Sequence, residues 1–185
     1  MIDGWARRKM EPVLVALARP LATAGVSANA ITAASLAAGL AAGVAIALGQ
    51  FWLALLLILL SRLGDGLDGA VARIRGGTDL GGYIDIVFDF FYYGAVPLGF
   101  IFHDPAANAL AGAVLLFSFY VNGASFLAYA VIAEKRGLKT EVRGEKSFFF
   151  TTGLAEAGET LFVFALACLC PSWFPLIAYL FAAVT

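Results

Sequence analysis

Long apolar stretches alternate with short polar breaks along the chain. The apolar stretches cover approximately residues 30–48, 51–75, 81–102, 106–133, 147–169 and 174–185. Because a helix needs about 20 apolar residues to cross the hydrocarbon core of a bilayer, the pattern predicts six transmembrane helices, the last of them short. Residues 3–22 instead mix charged and apolar positions, which predicts an amphipathic helix lying on the membrane surface. Gly39 and Gly43, spaced as GxxxG, predict close packing of the first span against another helix.

Composition supports a membrane protein. The chain has 185 residues, of which 62% are hydrophobic and 14% are charged, whereas a soluble domain carries about 25% charged residues. We therefore predict an all-α integral membrane protein with a single domain. In this domain, residues 1–24 form the interfacial helix and residues 25–185 form the six-helix transmembrane core.

The distribution of Lys and Arg predicts the orientation in the membrane. Basic residues occur in the N-terminal segment, in the turn at 73–80 and in the loop at 134–146, and they are absent from the three intervening turns. Cytoplasmic loops of membrane proteins carry an excess of Lys and Arg. The pattern therefore predicts a protein of the inner (cytoplasmic) membrane with both termini, and the 73–80 turn, in the cytoplasm.

Four aspartates interrupt the second and third predicted spans. Asp65 and Asp68 are three residues apart, and Asp85 and Asp89 are four apart, so each pair shares one helix face. Counted from Gly77 in the turn, Asp68 and Asp85 lie nine and eight residues away, and Asp65 and Asp89 each lie twelve away. A helical hairpin would therefore bring the four carboxylates together near the cytoplasmic end. Ionisable groups at membrane depth are costly and indicate a functional site.

Carboxylates packed this closely need protons or cations to compensate their charge. A cluster of oxygen ligands without His or Cys suits Mg²⁺, Mn²⁺ or Ca²⁺, and four carboxylates can hold two ions about 3.5–4 Å apart. The neighbouring residues favour a phosphate ligand: Gly69 leaves space beside the helix, Arg73 can bind a phosphate, and Thr78 offers a hydroxyl at a helix start. The alternative is that the aspartates form structural ion pairs with Arg62, Arg73 and Arg75.

At these positions the sequence resembles the CDP-alcohol phosphotransferase family. The family pattern is D-x2-D-G-x2-A-R, then about eight residues, then G-x3-D-x3-D. The matching residues, with seven residues between Arg73 and Gly81, are Asp65, Asp68, Gly69, Ala72, Arg73, Gly81, Asp85 and Asp89. The six-span layout and the N-terminal surface helix also look like this family.

The resemblance implies a phospholipid-synthesising enzyme that transfers a phosphatidyl group from CDP-diacylglycerol to an alcohol and releases CMP. It implies two Mg²⁺ or Mn²⁺ ions bound by Asp65, Asp68, Asp85 and Asp89, with Asp89 also acting as the general base. It further implies a homodimer, and no nucleic-acid partner is expected. The residues that would contact the CDP moiety are Asn29, Thr32, Asp65, Gly69, Arg73 and Thr78.

The acceptor alcohol is a separate hypothesis. Glu156 and Glu159 share a face of the fifth span and could accept hydrogen bonds from acceptor hydroxyls, or could pair with a basic residue of another helix. Arg143 and Lys146 could bind an acceptor phosphate, or could be solvated loop charges. Together these residues favour a phosphorylated polyol such as glycerol-3-phosphate.

A cation or proton transporter is the alternative function. A transporter would use the same carboxylates, but its acidic groups would be distributed along a path across the membrane. The outer halves of the second and third spans contain no acidic residue, which favours the enzyme.

Overall fold

The computed structural model describes residues 2–136 and 157–185, with side chains from residue 9 onward. These residues form seven α-helices and one short 3₁₀ helix at Pro171–Trp173, and the described ranges contain no strand, which confirms the all-α prediction. The α-helices are α1 (Ile2–Thr23), α2 (Ala28–Ala47), α3 (Phe51–Arg75), α4 (Asp79–His103), α5 (Pro105–Lys135), α6 (Ala157–Leu169) and α7 (Phe174–Val184).

Side-chain caps fix the starts of three of these helices. The Ser27 hydroxyl accepts a hydrogen bond from the Ala30 N–H at the start of α2, and the Asp104 carboxylate caps α5 in the same way. At the start of α4, the Thr78 hydroxyl accepts from the Gly81 N–H at 3.0 Å. Such caps satisfy backbone donors that have no partner within the helix. Because the connections are so short, α2, α3 and α4 run antiparallel to their chain neighbours.

Three helices, α2, α4 and α5, are each long and apolar enough to cross a membrane. The pair α6 and α7, bent by 117°, adds a fourth candidate if it forms one broken span. Helix α3 has 25 residues, but it carries five charged residues. Helix α7 has 11 residues, which at 1.5 Å per residue is about 16 Å, roughly half the hydrocarbon thickness. Length and composition thus support three or four of the six predicted spans.

Helices α2, α3 and α4 form the centre of the molecule, and large side chains of α6 and α7 complete its core. Ile46, Ile58 and Tyr92 are fully buried where the three central helices meet. Phe100 of α4 stacks on Phe174 of α7 with ring centres 4.3 Å apart. The aspartate half of α3 is covered by α1, in a small cluster whose buried members are Ala18, Ala70 and Val71.

Glycines allow α2 and α4 to approach closely, as the GxxxG spacing predicts. A Cβ atom placed on Gly43 would lie 2.7 Å from the Ala95 carbonyl oxygen, and one placed on Gly39 would lie 2.7 Å from the Tyr92 ring. On the opposite helix, a Cβ on Gly99 would collide with the Gly43 carbonyl oxygen. Backbone thus packs against backbone here, which fixes the position of α4 relative to α2.

Replacing Gly99 with Ala is therefore expected to lower the free energy of unfolding by about 1–3 kcal/mol, because the added methyl group overpacks a backbone contact. Gly94→Ala, on the same helix, is the matched control, since a Cβ there meets no described atom within 4 Å. Thermal unfolding in detergent would measure both variants. If Gly94→Ala were as destabilising as Gly99→Ala, close α2–α4 packing would not explain the effect.

Candidate active site

Three aspartates of α3 and α4 converge, although these two helices pack mainly against α2 and contact each other little. Asp65 and Asp68 come from α3 and Asp85 comes from α4, and each offers a carboxylate oxygen within 4.8 Å of the others. Asp68 and Asp85 lie at similar distances from the turn between α3 and α4, and α2, which packs closely against both helices, holds them in this arrangement. The predicted proximity of Asp68 and Asp85 is confirmed.

The Asp68 carboxylate is incompletely satisfied. Asp68 is 5% exposed, and among the described residues its Oδ2 atom is buried without a hydrogen-bond partner. The Thr32 hydroxyl lies beside this carboxylate and donates to the Ala28 carbonyl oxygen at 3.0 Å. Leaving a buried charged acceptor without a partner is costly. Three converging carboxylates, one with a free oxygen, fit a hard divalent cation, which prefers oxygen ligands.

The fourth aspartate is engaged differently. The Nη1 atom of Arg62 donates to Asp89 Oδ1 at 2.8 Å and lies 3.7 Å from Asp65 Oδ2. The alternative prediction, that the aspartates form ion pairs with arginines, therefore holds for Arg62. It does not hold for Arg73, whose Nη2 atom instead lies 3.9 Å from Glu11 Oε1 of α1. The predicted group of four carboxylates is thus three converging carboxylates and a fourth, Asp89, that binds Arg62.

A small crevice joins the two parts of the site. Its volume is about 10 Å³, so it holds little more than a water molecule in this conformation. Its walls combine polar groups of α2 with the charged residues of α3 and α4. The lining residues are Thr32, Ser35, Leu36, Arg62, Asp65, Asp85, Phe88 and Asp89.

The start of α2 meets the start of α4 at Gly81. A Cβ atom on Gly81 would lie 3.1 Å from the Thr78 hydroxyl oxygen and 3.2 Å from Asn29 Oδ1. Two of the residues predicted to contact CDP, Asn29 and Thr78, therefore lie together beside a glycine that leaves room for them. Thr78 also caps α4, so its hydroxyl position is fixed by the helix.

The other predicted phosphate contacts border open space. A Cβ on Gly69 would have one described neighbour within 4 Å, Arg73 Nη1 at 3.7 Å. The Arg73–Glu11 ion pair is about half exposed on both sides, and such pairs contribute little to stability. A ligand phosphate could therefore replace Glu11 as the partner of Arg73 at small cost.

Of the four residues predicted to bind the acceptor, one lies within the described part of the chain. Arg143, Lys146 and Glu156 lie outside the described residues. Glu159 lies in the first turn of α6 and is partly buried.

The sequence pattern predicts Arg62 only as an alternative partner of the aspartates and does not predict the groups that hold it. Its guanidinium lies over the ring of Tyr92, 3.9 Å from the ring centre, and its Nη2 atom donates to Ser61 Oγ at 3.3 Å. A signal was present in the spacing, since Arg62 precedes Asp65 by three residues and Tyr92 follows Asp89 by three. These spacings place each pair on one helix face.

Comparison with known proteins agrees with this geometry. Residues 25–184 match the family described as CDP-alcohol phosphatidyltransferase. The chain is also 44% identical over 184 residues to the inner membrane protein YnjF of Escherichia coli (strain K12), an alignment that covers 100% of this chain and 89% of the relative.

The fold is similar to that of phosphatidylinositol phosphate synthase (PgsA1) of Mycobacterium tuberculosis. The crystal structure with CDP-DAG bound matches with a TM-score of 0.72 and 22% identity, covering 94% of this chain and 87% of that one. The structure in complex with manganese and citrate matches with a TM-score of 0.71 and 22% identity, covering 92% and 82% of the two chains. At this identity the likeness concerns the fold. On the family match over residues 25–184 and the similarity to its bacterial relative, the chain belongs to the CDP-alcohol phosphatidyltransferase family.

Proposed function

We propose that this protein transfers a phosphatidyl group from CDP-diacylglycerol to an alcohol and releases CMP. The observation that carries the proposal is the convergence of Asp65, Asp68 and Asp85. Membership of the family supports the reaction type. A solved protein of the same fold binds CDP-DAG, which supports the donor.

Asp65, Asp68 and Asp85 would hold the divalent cations, for which we propose two Mg²⁺ or Mn²⁺ ions, with Asp89 as an additional ligand to one of them. When bound, these ions supply positive charge that stabilises the diphosphate and the CMP leaving group. The unpartnered Oδ2 atom of Asp68 and the manganese complex of the similar fold support this assignment.

Asp89 would act as the general base. It accepts the proton of the acceptor hydroxyl, and the hydroxyl oxygen then forms a bond to the lipid-linked phosphorus as the bond from this phosphorus to the CMP oxygen breaks. Its Oδ1 atom receives the hydrogen bond from Arg62, so we assign the proton transfer to Oδ2. Asp89 lines the crevice together with Asp65 and Asp85, which supports a base next to the three-carboxylate group.

The remaining polar residues would bind the nucleotide. Asn29 and Thr78 lie together at Gly81, and Arg73 borders the space beside Gly69. Thr32, next to Asp68, would link the two regions. We assign these residues and Asp65 to the CDP moiety.

We infer that α3 crosses the membrane with its neighbours, because it is joined by short turns to α2 and α4, which both have the length and composition of spans. The Lys and Arg distribution then places the aspartates and both termini on the cytoplasmic side. We propose six spans in all, with α1 as a surface helix whose exposed residues Met10, Val13 and Leu17 face lipid. The inner membrane location of the relative supports the proposed compartment, and we propose that the protein works as a homodimer.

For the acceptor we propose a phosphorylated polyol such as glycerol-3-phosphate. Glu159 in the first turn of α6 would act with Glu156 on the hydroxyl groups. Arg143 and Lys146 would bind the phosphate.

Purified protein incubated with CDP-diacylglycerol, Mg²⁺ and an acceptor is expected to form CMP, and excess EDTA is expected to abolish CMP formation until Mg²⁺ or Mn²⁺ is added back. Acceptors should be tested as matched pairs, glycerol-3-phosphate against glycerol and inositol phosphate against inositol. We expect the phosphorylated member of a pair to be preferred. Folded protein that forms no CMP with any acceptor would reject the enzyme, and cation or proton flux across vesicles would then favour the transporter.

A further inference from the structure

Arg62 is a buried cation in the middle of α3. Its side chain is 12% exposed, and it lies eleven residues after Phe51 at the start of the helix, which corresponds to about 16 Å along the axis. A charged side chain at such a depth is costly and indicates a function. The aspartate motif begins three residues later, at Asp65, and leaves the role of Arg62 open.

Contacts with four residues fix the guanidinium group. Nη1 donates to Asp89 at 2.8 Å and lies 3.7 Å from Asp65. Nη2 donates to the Ser61 hydroxyl at 3.3 Å, and Cζ lies 3.9 Å from the centre of the Tyr92 ring. The Tyr92 ring contacts one face of the guanidinium plane, and the polar contacts of Nη1 and Nη2 lie along its edge. The Nη1 group that donates to Asp89 therefore has a fixed direction.

The contacts also link the guanidinium to the buried centre of the molecule. Asp89 and Tyr92 are three residues apart on the same face of α4, so Arg62 reaches from α3 to two adjacent positions of its neighbour. Ser61 donates in turn to the Ser35 carbonyl oxygen of α2 at 2.8 Å. Arg62 is therefore tied to all three central helices, and so is the Asp89 carboxylate that it binds.

Stability alone does not account for this arrangement. A buried ion pair often contributes no more to stability than an apolar pair of similar volume, because removing both charges from water offsets their attraction. A buried arginine whose planar group donates to both a carboxylate and a hydroxyl does, however, fix geometry. The carboxylate that it fixes is the one assigned above to proton transfer.

We propose that Arg62 is a positioning residue that holds Asp89 beside the three-carboxylate group and orients it toward the acceptor hydroxyl. This role rests on the proposed function. Arg62 binds one carboxylate oxygen of Asp89 and thereby directs the other toward the crevice that Asp65 and Asp85 also line. The competing view is that Arg62 only neutralises negative charge, in which case any cation at this position would serve.

Arg62→Lys separates the two views, because it keeps the charge and removes the planar donor group. We expect kcat for CMP release to fall about 10- to 100-fold, since a small misplacement of a catalytic group costs up to about a hundredfold. The KM for CDP-diacylglycerol should change by less than about twofold. Binding of Mn²⁺ to the substrate-free protein, measured from the electron paramagnetic resonance signal of free Mn²⁺, should remain within about twofold of wild type, because Lys preserves the charge beside Asp65.

Arg75→Lys is the matched control. Arg75 lies in the last turn of α3 and is exposed, and it donates to the Val26 carbonyl oxygen. We expect its kcat to equal that of wild type. A kcat of Arg62→Lys equal to that of wild type would overturn the positioning role. Loss of Mn²⁺ binding by more than about tenfold would also overturn it, because Arg62 would then act mainly on metal binding and not on the direction of the base.

Ser61→Ala provides a second test if the lysine variant does not fold. It removes a contact to Nη2 but no charge, so we expect an unchanged Mn²⁺ affinity and a kcat about two- to fivefold lower, at unchanged KM, as a small loss of orientation predicts. An unchanged kcat in a folded Ser61→Ala variant would overturn the role. Absence of CMP with the wild type would reject the proposed function and this role with it, whereas an active wild type with an equally active Arg62→Lys variant would reject the role alone.

Discussion

Asp68→Asn is expected to lower kcat/KM by about 10³-fold, which corresponds to about 4 kcal/mol of transition-state stabilisation. Asn has nearly the same shape as Asp but cannot offer two anionic oxygens to a cation. Asp68 is buried with an unpartnered Oδ2 atom, and one of its carboxylate oxygens lies within 4.8 Å of oxygens of Asp65 and Asp85. The rate of CMP release over a range of Mg²⁺ concentrations would measure the loss, which excess Mg²⁺ should only partly restore.

The same substitution is expected to have an opposite effect on stability. In EDTA, the Asp68→Asn variant should unfold at the same temperature as wild type or a higher one, because it removes one of three like charges from a poorly solvated site. Asp79→Asn is the matched control, with the same change in charge at an exposed position in the first turn of α4. Its activity should be unchanged. Wild-type activity in Asp68→Asn, or a strong loss of stability in EDTA, would indicate a structural rather than a metal-binding role.

Asp89→Asn is expected to lower kcat by about 10²- to 10⁴-fold, the usual contribution of a general base. In contrast to Asp68→Asn, it should also lower the free energy of unfolding by about 1–3 kcal/mol, because Arg62 loses a charged partner at 2.8 Å. Single-turnover measurements of CMP formation and thermal unfolding in EDTA would test the two expectations together.

Asp104→Asn is the control for this variant. Asp104 caps α5 through the Ala107 N–H, and Asn is as good a capping residue as Asp, so both activity and stability should be unchanged. Retention of wild-type kcat in Asp89→Asn would exclude Asp89 as the base. A free energy of unfolding of Asp89→Asn equal to that of wild type would contradict a stabilising ion pair between Asp89 and Arg62.

Much of the fold follows from the polar breaks in the sequence. The predicted helix at 51–75 coincides with α3, because Gly76, with a φ of +93°, ends the helix there. Helix α4 begins at Asp79, two residues earlier than predicted, because the Thr78 side chain caps it. These boundaries depend on residues next to each other in the chain, so they can be predicted from the sequence.

Features that depend on packing between distant residues are harder to predict from the sequence. Spacing on each helix predicts that Asp65, Asp68, Asp85 and Asp89 lie together, because the turn between α3 and α4 is short and the arithmetic is local. The separate pairing of Asp89 requires the relative rotation of α3 and α4. Both helices pack against α2, and the close α2–α4 contact at Gly43 and Gly99 fixes the position of α4. The 117° bend between α6 and α7 likewise depends on how these two helices pack against the rest of the core.

The central claim is that Asp65, Asp68 and Asp85 form a divalent metal site in a phosphatidyltransferase. The most direct measurement is an anomalous difference map from crystals of this protein grown with Mn²⁺. We predict a peak between α3 and α4 within about 2.0–2.6 Å of carboxylate oxygens from all three residues. The claim would be contradicted by a map in which manganese is absent from this site while it is bound elsewhere on the protein.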